Sequence, residues 1–348
     1  MERKETKQIK VGNVLIGGNA PVVVQSMCNT DTRDVGATLS QIEKLATAGC
    51  KIARVAVVDK AAAFAIGEIS EKSPLPIVAD IHFDSRLAVE AASAGASKIR
   101  INPGNIGDDS KVRDVVRACR ERDIPIRIGV NGGSLEKEIL AKYGVTARGM
   151  VESAKEHVRI LQKFDFDDIC ISVKASTVSL TVDAYRMLSD ELSYPLHLGV
   201  TEAGTIRIGR LKSAIGIGSL LLDGIGDTIR VSLTDDPVLE VETAYDILHS
   251  IGMSENVPSL VSCPTCGRCM IDLIPIAKEV EERLSKIHKP IKVAVMGCVV
   301  NGPGEAKEAD VGMAGGKETG ILFKKGELIK QVPMSDIVDE LMKLAEEI

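Results

Sequence analysis

Three cysteines and one carboxylate have the types and spacing of a soft-metal site. Cys263-Pro264-Thr265-Cys266 sets two thiols at C-x2-C spacing, suited to gripping one centre from a tight turn. Cys298 arrives from a distant loop, and the Gly302-Pro303-Gly304 segment bends Glu305 back towards the same point. Three thiolates with one weak oxygen ligand describe a site with an exchangeable position, which catalysis needs and a purely structural site does not. The arrangement points to a reactive iron–sulfur cluster. A closed four-thiolate zinc site built from Cys263, Cys266, Cys269 and Cys298 is the alternative. Zinc ribbons usually pair two knuckles, whereas the second half here is a lone cysteine ahead of Asn-Gly-Pro-Gly-Glu, which favours iron–sulfur.

A second constellation breaks a burial rule. Arg54, Arg100, Arg127, Lys174 and Arg230 all stand inside Val/Ile-rich runs. A buried, unpaired charge costs several kcal/mol, on the order of 3–5, so each needs a partner. Asp80, Asp84, Glu202 or Asp227 could serve one or two of them; a multiply charged anion such as a diphosphate would satisfy all five together. Polar residues stand beside them: Gln25, Asn29, Thr30, Asp80, His82, Asn102, Asn105, Asn131 and Glu202. His82 and Glu202 have strand-end positions suited to proton transfer, and Glu202 has an equally good reading as an ion-pair partner of Lys174 or Arg230.

These residues need elements to position them. Eight short apolar runs, at 21–27, 52–58, 76–83, 98–105, 125–131, 168–176, 195–202 and 227–233, each precede a helical pattern. Continuous aliphatic runs indicate strands covered on both faces, and eight β–α units predict a TIM (β/α)8 barrel with its pocket at the carboxyl ends of the strands; a doubly wound sheet is the alternative, but its usual Gly-rich phosphate turn is missing. Residues 8–18 read as a hairpin turning at Gly12-Asn13 and plugging the lower mouth. After a break at 250–258, the pattern changes to a small α+β iron–sulfur domain. Its helix carries Leu273, Ile276, Val280 and Leu284 with Asp272 near the cap, strands follow at 291–296 and 309–333, and Ser335 opens a closing helix. The expected domains are 1–252 and 253–348.

Composition narrows the function classes. The 348 residues are 45% hydrophobic and 3% aromatic, without Trp, so the core is aliphatic. A net charge of −6 argues against non-specific nucleic-acid binding, and any anion site must be local. No stretch resembles a signal peptide or a membrane span, so a cytoplasmic protein with reduced thiols is expected, and Cys28, Cys50, Cys119 and Cys170 read as small buried hydrophobes. The Walker phosphate loop and the radical-SAM C-x3-C-x2-C motif are both missing from the sequence.

Several motifs, in one order, carry a resemblance. Val24-Gln25-Ser26-Met27, Ala79-Asp80-Ile81-His82-Phe83-Asp84 and Arg100-Ile101-Asn102-Pro103-Gly104-Asn105 are three of them. Arg127-Ile128-Gly129-Val130-Asn131, Ser172-Val173-Lys174-Ala175-Ser176, Thr201-Glu202-Ala203-Gly204 and Cys263-Pro264-Thr265-Cys266 continue the series. The chain thereby resembles, over nearly its whole length, the 4-hydroxy-3-methylbut-2-en-1-yl diphosphate synthase family in its two-domain bacterial form. The resemblance implies reductive ring opening and dehydroxylation of 2-C-methyl-D-erythritol 2,4-cyclodiphosphate. It also implies a 4Fe-4S cluster on Cys263, Cys266, Cys298 and Glu305, electrons from a flavodoxin or ferredoxin, and a homodimer whose active sites are shared between chains. Catalytic roles would fall to Glu202, His82 and Asp80, and substrate binding to Arg54, Arg100, Asn102, Arg127, Asn131, Lys174 and Arg230. Two departures stand out: Cys28 occupies a position where Thr is common in the family, and Cys269 is an extra thiol beside the ligands. The rival class is a barrel that binds a phosphorylated metabolite, steadied by a four-cysteine zinc domain.

Overall fold

Eight parallel strands enclose the interior of the larger unit. They are β3 (Val23–Met27), β4 (Ile52–Ala56), β5 (Ile77–Asp80), β6 (Lys98–Ile101), β7 (Ile126–Asn131), β8 (Ile169–Lys174), β9 (His197–Leu198) and β10 (Thr228–Ile229). The hydrogen-bonded order is β8-β7-β6-β5-β4-β3-β10-β9, and an isolated parallel bridge from Ile171 to Leu196 brings the two ends together. This is the expected (β/α)8 barrel. The computed structural model describes residues 2–254, 257–287, 289–298 and 307–348. The chain divides into two units, Met1–Ile251 and Gly252–Ile348.

Local chemistry sets the barrel's regularity. Asp34, Asp59, Asp84, Asp108 and Asp236 each accept a backbone N–H at the start of a wall helix, which satisfies donors that the helix leaves open. The strands are buried along their lengths because helices cover their outer face. Two strands are shorter than the runs 195–202 and 227–233 suggested. They end at Leu198 and Ile229, at the level of Gly199. There a Cβ on Gly199 would lie 2.6 Å from Lys174 Nζ and from the Arg230 carbonyl oxygen.

The barrel's floor is closed by the hairpin β1 (Ile9–Val11) and β2 (Val14–Ile16), paired antiparallel. Gly12, at φ 59, makes its turn, and a Cβ there would meet the Pro76 ring at 2.8 Å. Ile9, Val11 and Ile16 pack against Val23, Ile52, Val78 and Cys170 of the strands, so the plug is an apolar lid on the interior.

The smaller unit has one five-stranded sheet: β11 (Ser259–Ser262), β12 (Lys292–Met296), β13 (Val311–Ala314), β14 (Thr319–Lys324) and β15 (Glu327–Pro333). The first three strands are parallel and the last two antiparallel. Helices Leu273–Leu284 and Ile337–Glu346 cover one face, where Leu273, Val280, Leu284, Ile337 and Leu341 meet Val293, Val295, Val311 and Leu322. Asp272 holds the N-cap position of the first helix without a side-chain hydrogen bond. Asp336, after a short 3-10 turn, holds the cap position of the closing helix in place of Ser335. No helix among the described residues is long and apolar enough to cross a membrane.

Candidate active site and metal centre

Strand alternation sends every second side chain into the barrel, and towards the carboxyl ends those side chains are charged. Met27, Arg54, Asp80, His82, Arg100, Arg127, Asn131, Ser172, Lys174, Thr201, Arg230 and Ser232 line one cavity of about 290 Å³. The sequence-derived cations therefore converge on a single space. Asn102 is buried and outside that lining. Glu202 is also outside it, exposed on a turn at φ 52, while its neighbour Thr201 faces in. A non-glycine residue held at positive φ is a strained position of the kind concentrated at functional loops.

Asp80 is the anionic hub. Its carboxylate lies 3.2 Å from Arg100, 3.9 Å from Arg54 and 3.5 Å from His82 Nε2. Burial opposes its ionisation, but Arg54, the hydrogen bond from His82, and Arg100 together hold the carboxyl well below its usual range. The second internal carboxylate is Glu240, on the wall helix Pro237–Ser250. It accepts from Ser26 Oγ at 2.9 Å and Leu233 N–H at 3.0 Å, and lies 3.4 Å from Arg230. Of the partners expected from sequence, Asp84 caps a helix and pairs with Arg86, and Asp227 pairs with Arg3 at the floor. Both are too far down or outside to balance the mouth.

Five cations thus face two carboxylates, leaving the cavity net positive. Burial lowers the Lys174 pKa well below its ordinary value, and the Arg127, Arg230, Arg54 and Arg100 guanidiniums lower it further. An anion entering the cavity would oppose the guanidiniums' effect and favour the protonated lysine. Two glycines make room for this crowding. A Cβ on Gly129 would collide with the Arg100 guanidinium, and one on Gly199 with Lys174 Nζ. Arg54 also rests its Nε and Nη2 against Met27 Sδ at 3.0 and 2.7 Å.

Met27, Ser172, Thr201, Ser232 and Glu240 were not singled out from sequence. Glu240 had a signal: it lies on the same helical stripe as buried Val241, Ala244, Ile247 and Leu248, where an acid needs an internal partner. The small polar residues had none, since Ser and Thr are common in strands of any function.

In the smaller unit the cysteines gather at the carboxyl ends of two adjacent parallel strands. Cys263 follows β11, and its N–H donates to Val295 O at 3.3 Å. Gly297-Cys298 follows β12, and the Gly297 N–H donates to Cys263 Sγ at 3.2 Å. Met270 N–H donates to Gly297 O at 2.8 Å, strapping the cysteine loop to the same point. Cys266 is exposed, and the Arg268 backbone N–H lowers its thiol pKa. Cys298 is buried. Cys269 Sγ donates to Ile271 O at 3.2 Å and lies 2.5 Å from where a Gly297 Cβ would be, a packed and satisfied thiol. Glu305 lies outside the described residues. Among the described residues, no three Cys, His, Asp or Glu side chains close around one point. The donor set still fits a soft cluster: one sulfur takes a backbone N–H, one has a lowered pKa, and one comes from the neighbouring strand end.

The hub role of Asp80 sets an expected outcome. Asp80→Asn leaves Arg54 and Arg100 without their carboxylate, so stability at pH 7 should fall by about 3–5 kcal/mol in urea unfolding. Because the folded pKa is depressed, this contribution is present above about pH 4 and fades as pH falls further. The gap between variant and wild type should shrink accordingly; a gap unchanged at pH 3 would refute the hub.

Comparison with known proteins agrees with this geometry. Residues 6–245 match the GcpE TIM-barrel domain, and residues 259–347 match the GcpE protein C-terminal domain. A protein of Clostridium perfringens is 60% identical over 349 residues, covering 100% of both chains. One of Geobacter sulfurreducens is 59% identical over 347 residues, covering 99% of this chain and 98% of its own. Both are named 4-hydroxy-3-methylbut-2-en-1-yl diphosphate synthase (flavodoxin). Among solved structures, Yersinia pestis dihydropteroate synthase aligns with a TM-score of 0.51 at 11% identity, covering 70% of this chain and 98% of that one. That likeness is of fold alone.

Proposed function

The chain belongs to the GcpE family, and from that premise we propose how its residues divide the work of the reaction. The enzyme is an oxidoreductase that converts 2-C-methyl-D-erythritol 2,4-cyclodiphosphate to (E)-4-hydroxy-3-methylbut-2-enyl diphosphate. The observation that carries the division is the net-positive cavity in which Arg54, Arg100, Arg127, Lys174 and Arg230 converge from five strands. These side chains hold the cyclic diphosphate, with Asn131, which lines the same cavity, contributing neutral hydrogen bonds. Opening the ring breaks a carbon–oxygen bond whose electron pair stays on the phosphate, so the diphosphate gains negative charge. A preformed excess of cations stabilises that gain more than it stabilises the closed ring, which is where rate acceleration comes from.

The departing hydroxyl needs a proton to leave as water. Glu202, at the strained turn beside Thr201, is our candidate for that proton, and His82, exposed at the mouth and hydrogen-bonded to Asp80, is positioned to resupply it. Two electrons are required, and a flavodoxin is the donor that the relatives' name supports. Cys263, Cys266, Cys298 and Glu305 would hold a 4Fe-4S cluster, which when bound supplies those electrons singly and an iron open to an oxygen ligand.

We further place each complete site between two chains, in the cytoplasm. The helix Pro237–Ser250 starts at the mouth, where Asp236 caps it, and runs down the wall for 14 residues, about 20 Å. The chain therefore leaves the barrel at its floor. Residues 251–258 reach at most about 26–29 Å when fully extended, at about 3.3–3.6 Å each, so returning a cysteine to their own barrel's mouth would consume most of that length. A second chain's mouth in a two-fold dimer is the easier target.

Anaerobic enzyme with reduced flavodoxin should form the linear diphosphate from the cyclic one, followed directly by product analysis. Arg127→Ala or Lys174→Ala should weaken substrate binding by about 1–3 kcal/mol each, the scale of a lost charged hydrogen bond. Unchanged affinity in both would detach the diphosphate from the cavity. Iron analysis separates the thiols: Cys263→Ser, Cys266→Ser and Cys298→Ser should each lose iron, while Cys269→Ser keeps it. Iron lost from Cys269→Ser but retained in Cys266→Ser would reverse the ligand assignment, and zinc in place of iron would favour a structural domain. Co-expression of Cys298→Ser with Arg127→Ala should regenerate one intact site per mixed dimer and recover activity. Inactive mixed dimers, beside active wild-type dimers made the same way, would place both halves of a site in one chain.

A further inference from the structure

Between the mouth cavity and the apolar plug lies a layer of polar side chains of which the proposed division of work uses only Arg127. Cavity-lining residues fix which side chains point inward: Met27, Arg100, Ser172, Thr201 and Arg230 all do. By strand alternation, Gln25, Lys98, Cys170, His197 and Thr228 then point inward one layer down or more. Barrels of this kind normally fill such layers with bulky branched side chains. Here Gln25, Lys98, Arg127, His197 and Thr228 are each at most 1% exposed.

Most of these groups are unmatched. Gln25 Nε2 and Oε1, Lys98 Nζ, Arg127 Nε and Nη1, and His197 Nε2 are all buried with no hydrogen-bond partner. His197 Nδ1 lies 3.3 Å from Thr228 Oγ1. In the tautomer whose Nδ1 accepts from that hydroxyl, Nε2 carries a hydrogen. Every unmatched atom except Gln25 Oε1 then belongs to a donor, and two of the donors are cations. The nearby carboxylates are already engaged, Asp80 with Arg54 and Arg100 and Glu240 with Arg230. Lys98, Arg127 and His197 lie close enough to influence one another's charge; burial pushes Lys98 down to about 8, which still leaves it protonated at neutral pH.

Buried donors left without acceptors destabilise the fold, the more so when they are charged. Water would bring its own hydrogens into a space already crowded with donors. We propose that the barrel interior binds a small inorganic anion of the halide type, held by Lys98, Arg127, Gln25 and His197 beneath the mouth cavity. Chloride is the cellular form. It completes the coordination of Arg127 from below, so the face of that guanidinium turned to the cavity is held in place. The site shares Arg127 with the diphosphate cavity and is otherwise distinct from it, since Lys98, Gln25 and His197 do not line that cavity.

Crystals of the holoenzyme soaked in bromide test this by anomalous diffraction. A bromide peak bounded by Lys98, Arg127 and His197 is expected, present whether or not the mouth cavity holds diphosphate. In parallel, thermal unfolding of the holoenzyme in sodium chloride should occur at higher temperature than in sodium gluconate of equal ionic strength. Lys98→Met, which removes one cation without adding a polar group, should abolish that difference. Bromide found only among Arg54, Arg100 and Lys174 would overturn the proposal, as would a layer holding water alone. Equal unfolding temperatures in the two salts would overturn it even if Lys98→Met fails to fold.

Discussion

Uncompensated positive charge inside a barrel is the constraint to which the rest of the larger unit answers. A charge removed from water is tolerated only with a partner, and the interior offers five mouth cations just two carboxylates, Asp80 and Glu240. Ser26 and the Leu233 N–H brace Glu240, and Gly129 and Gly199 give up their side chains to let Arg100 and Lys174 lie flat. The apolar hairpin seals the far end, so compensation can enter only from the mouth or reside within. In the division of work proposed above, the missing negative charge is the substrate's diphosphate.

The two units solve opposite electrostatic problems with similar geometry. Both place their chemistry at the carboxyl ends of parallel strands, where loops are free to vary while strands hold position. In the barrel the side chains bring charge; around Cys263 the backbone does, through the Gly297 and Arg268 N–H groups directed at sulfur. Cys269 belongs to neither scheme. It is spent on packing against Gly297 and on a hydrogen bond to Ile271.

Much of this was legible in the sequence because it violates expectation there. Arginine in a Val/Ile run is conspicuous, so the mouth cations could be named before their convergence was seen. Gly12 between two short apolar runs marked the plug for the same reason. Glu240 was harder, because its partners Ser26 and Arg230 lie on other elements and only a helical stripe connects it to the interior. Thr201, Ser172 and Ser232 carried no signal at all. The span of β9 and β10 was overestimated: the runs are aliphatic enough for strands, but ladder length depends on neighbours, and beyond Leu198 the backbone at Gly199 lies against Lys174 Nζ and the Arg230 carbonyl. The unmatched layer of Gln25, Lys98 and His197 was equally hidden, since an unmet hydrogen bond is a property of neighbours and not of composition.

The shortness of β9 and β10 has a mechanical consequence. The other six barrel strands are four to six residues long, but β9 and β10 contribute two residues each, and one bridge, Ile171 to Leu196, closes the sheet onto β8. The cylinder therefore has a seam. Local opening follows the weakest line of hydrogen bonds, and here that line runs beside Lys174, Thr201 and Arg230. Opening along that line would widen the mouth from one side only, while the strands that carry Asp80 and its arginines keep their longer pairings.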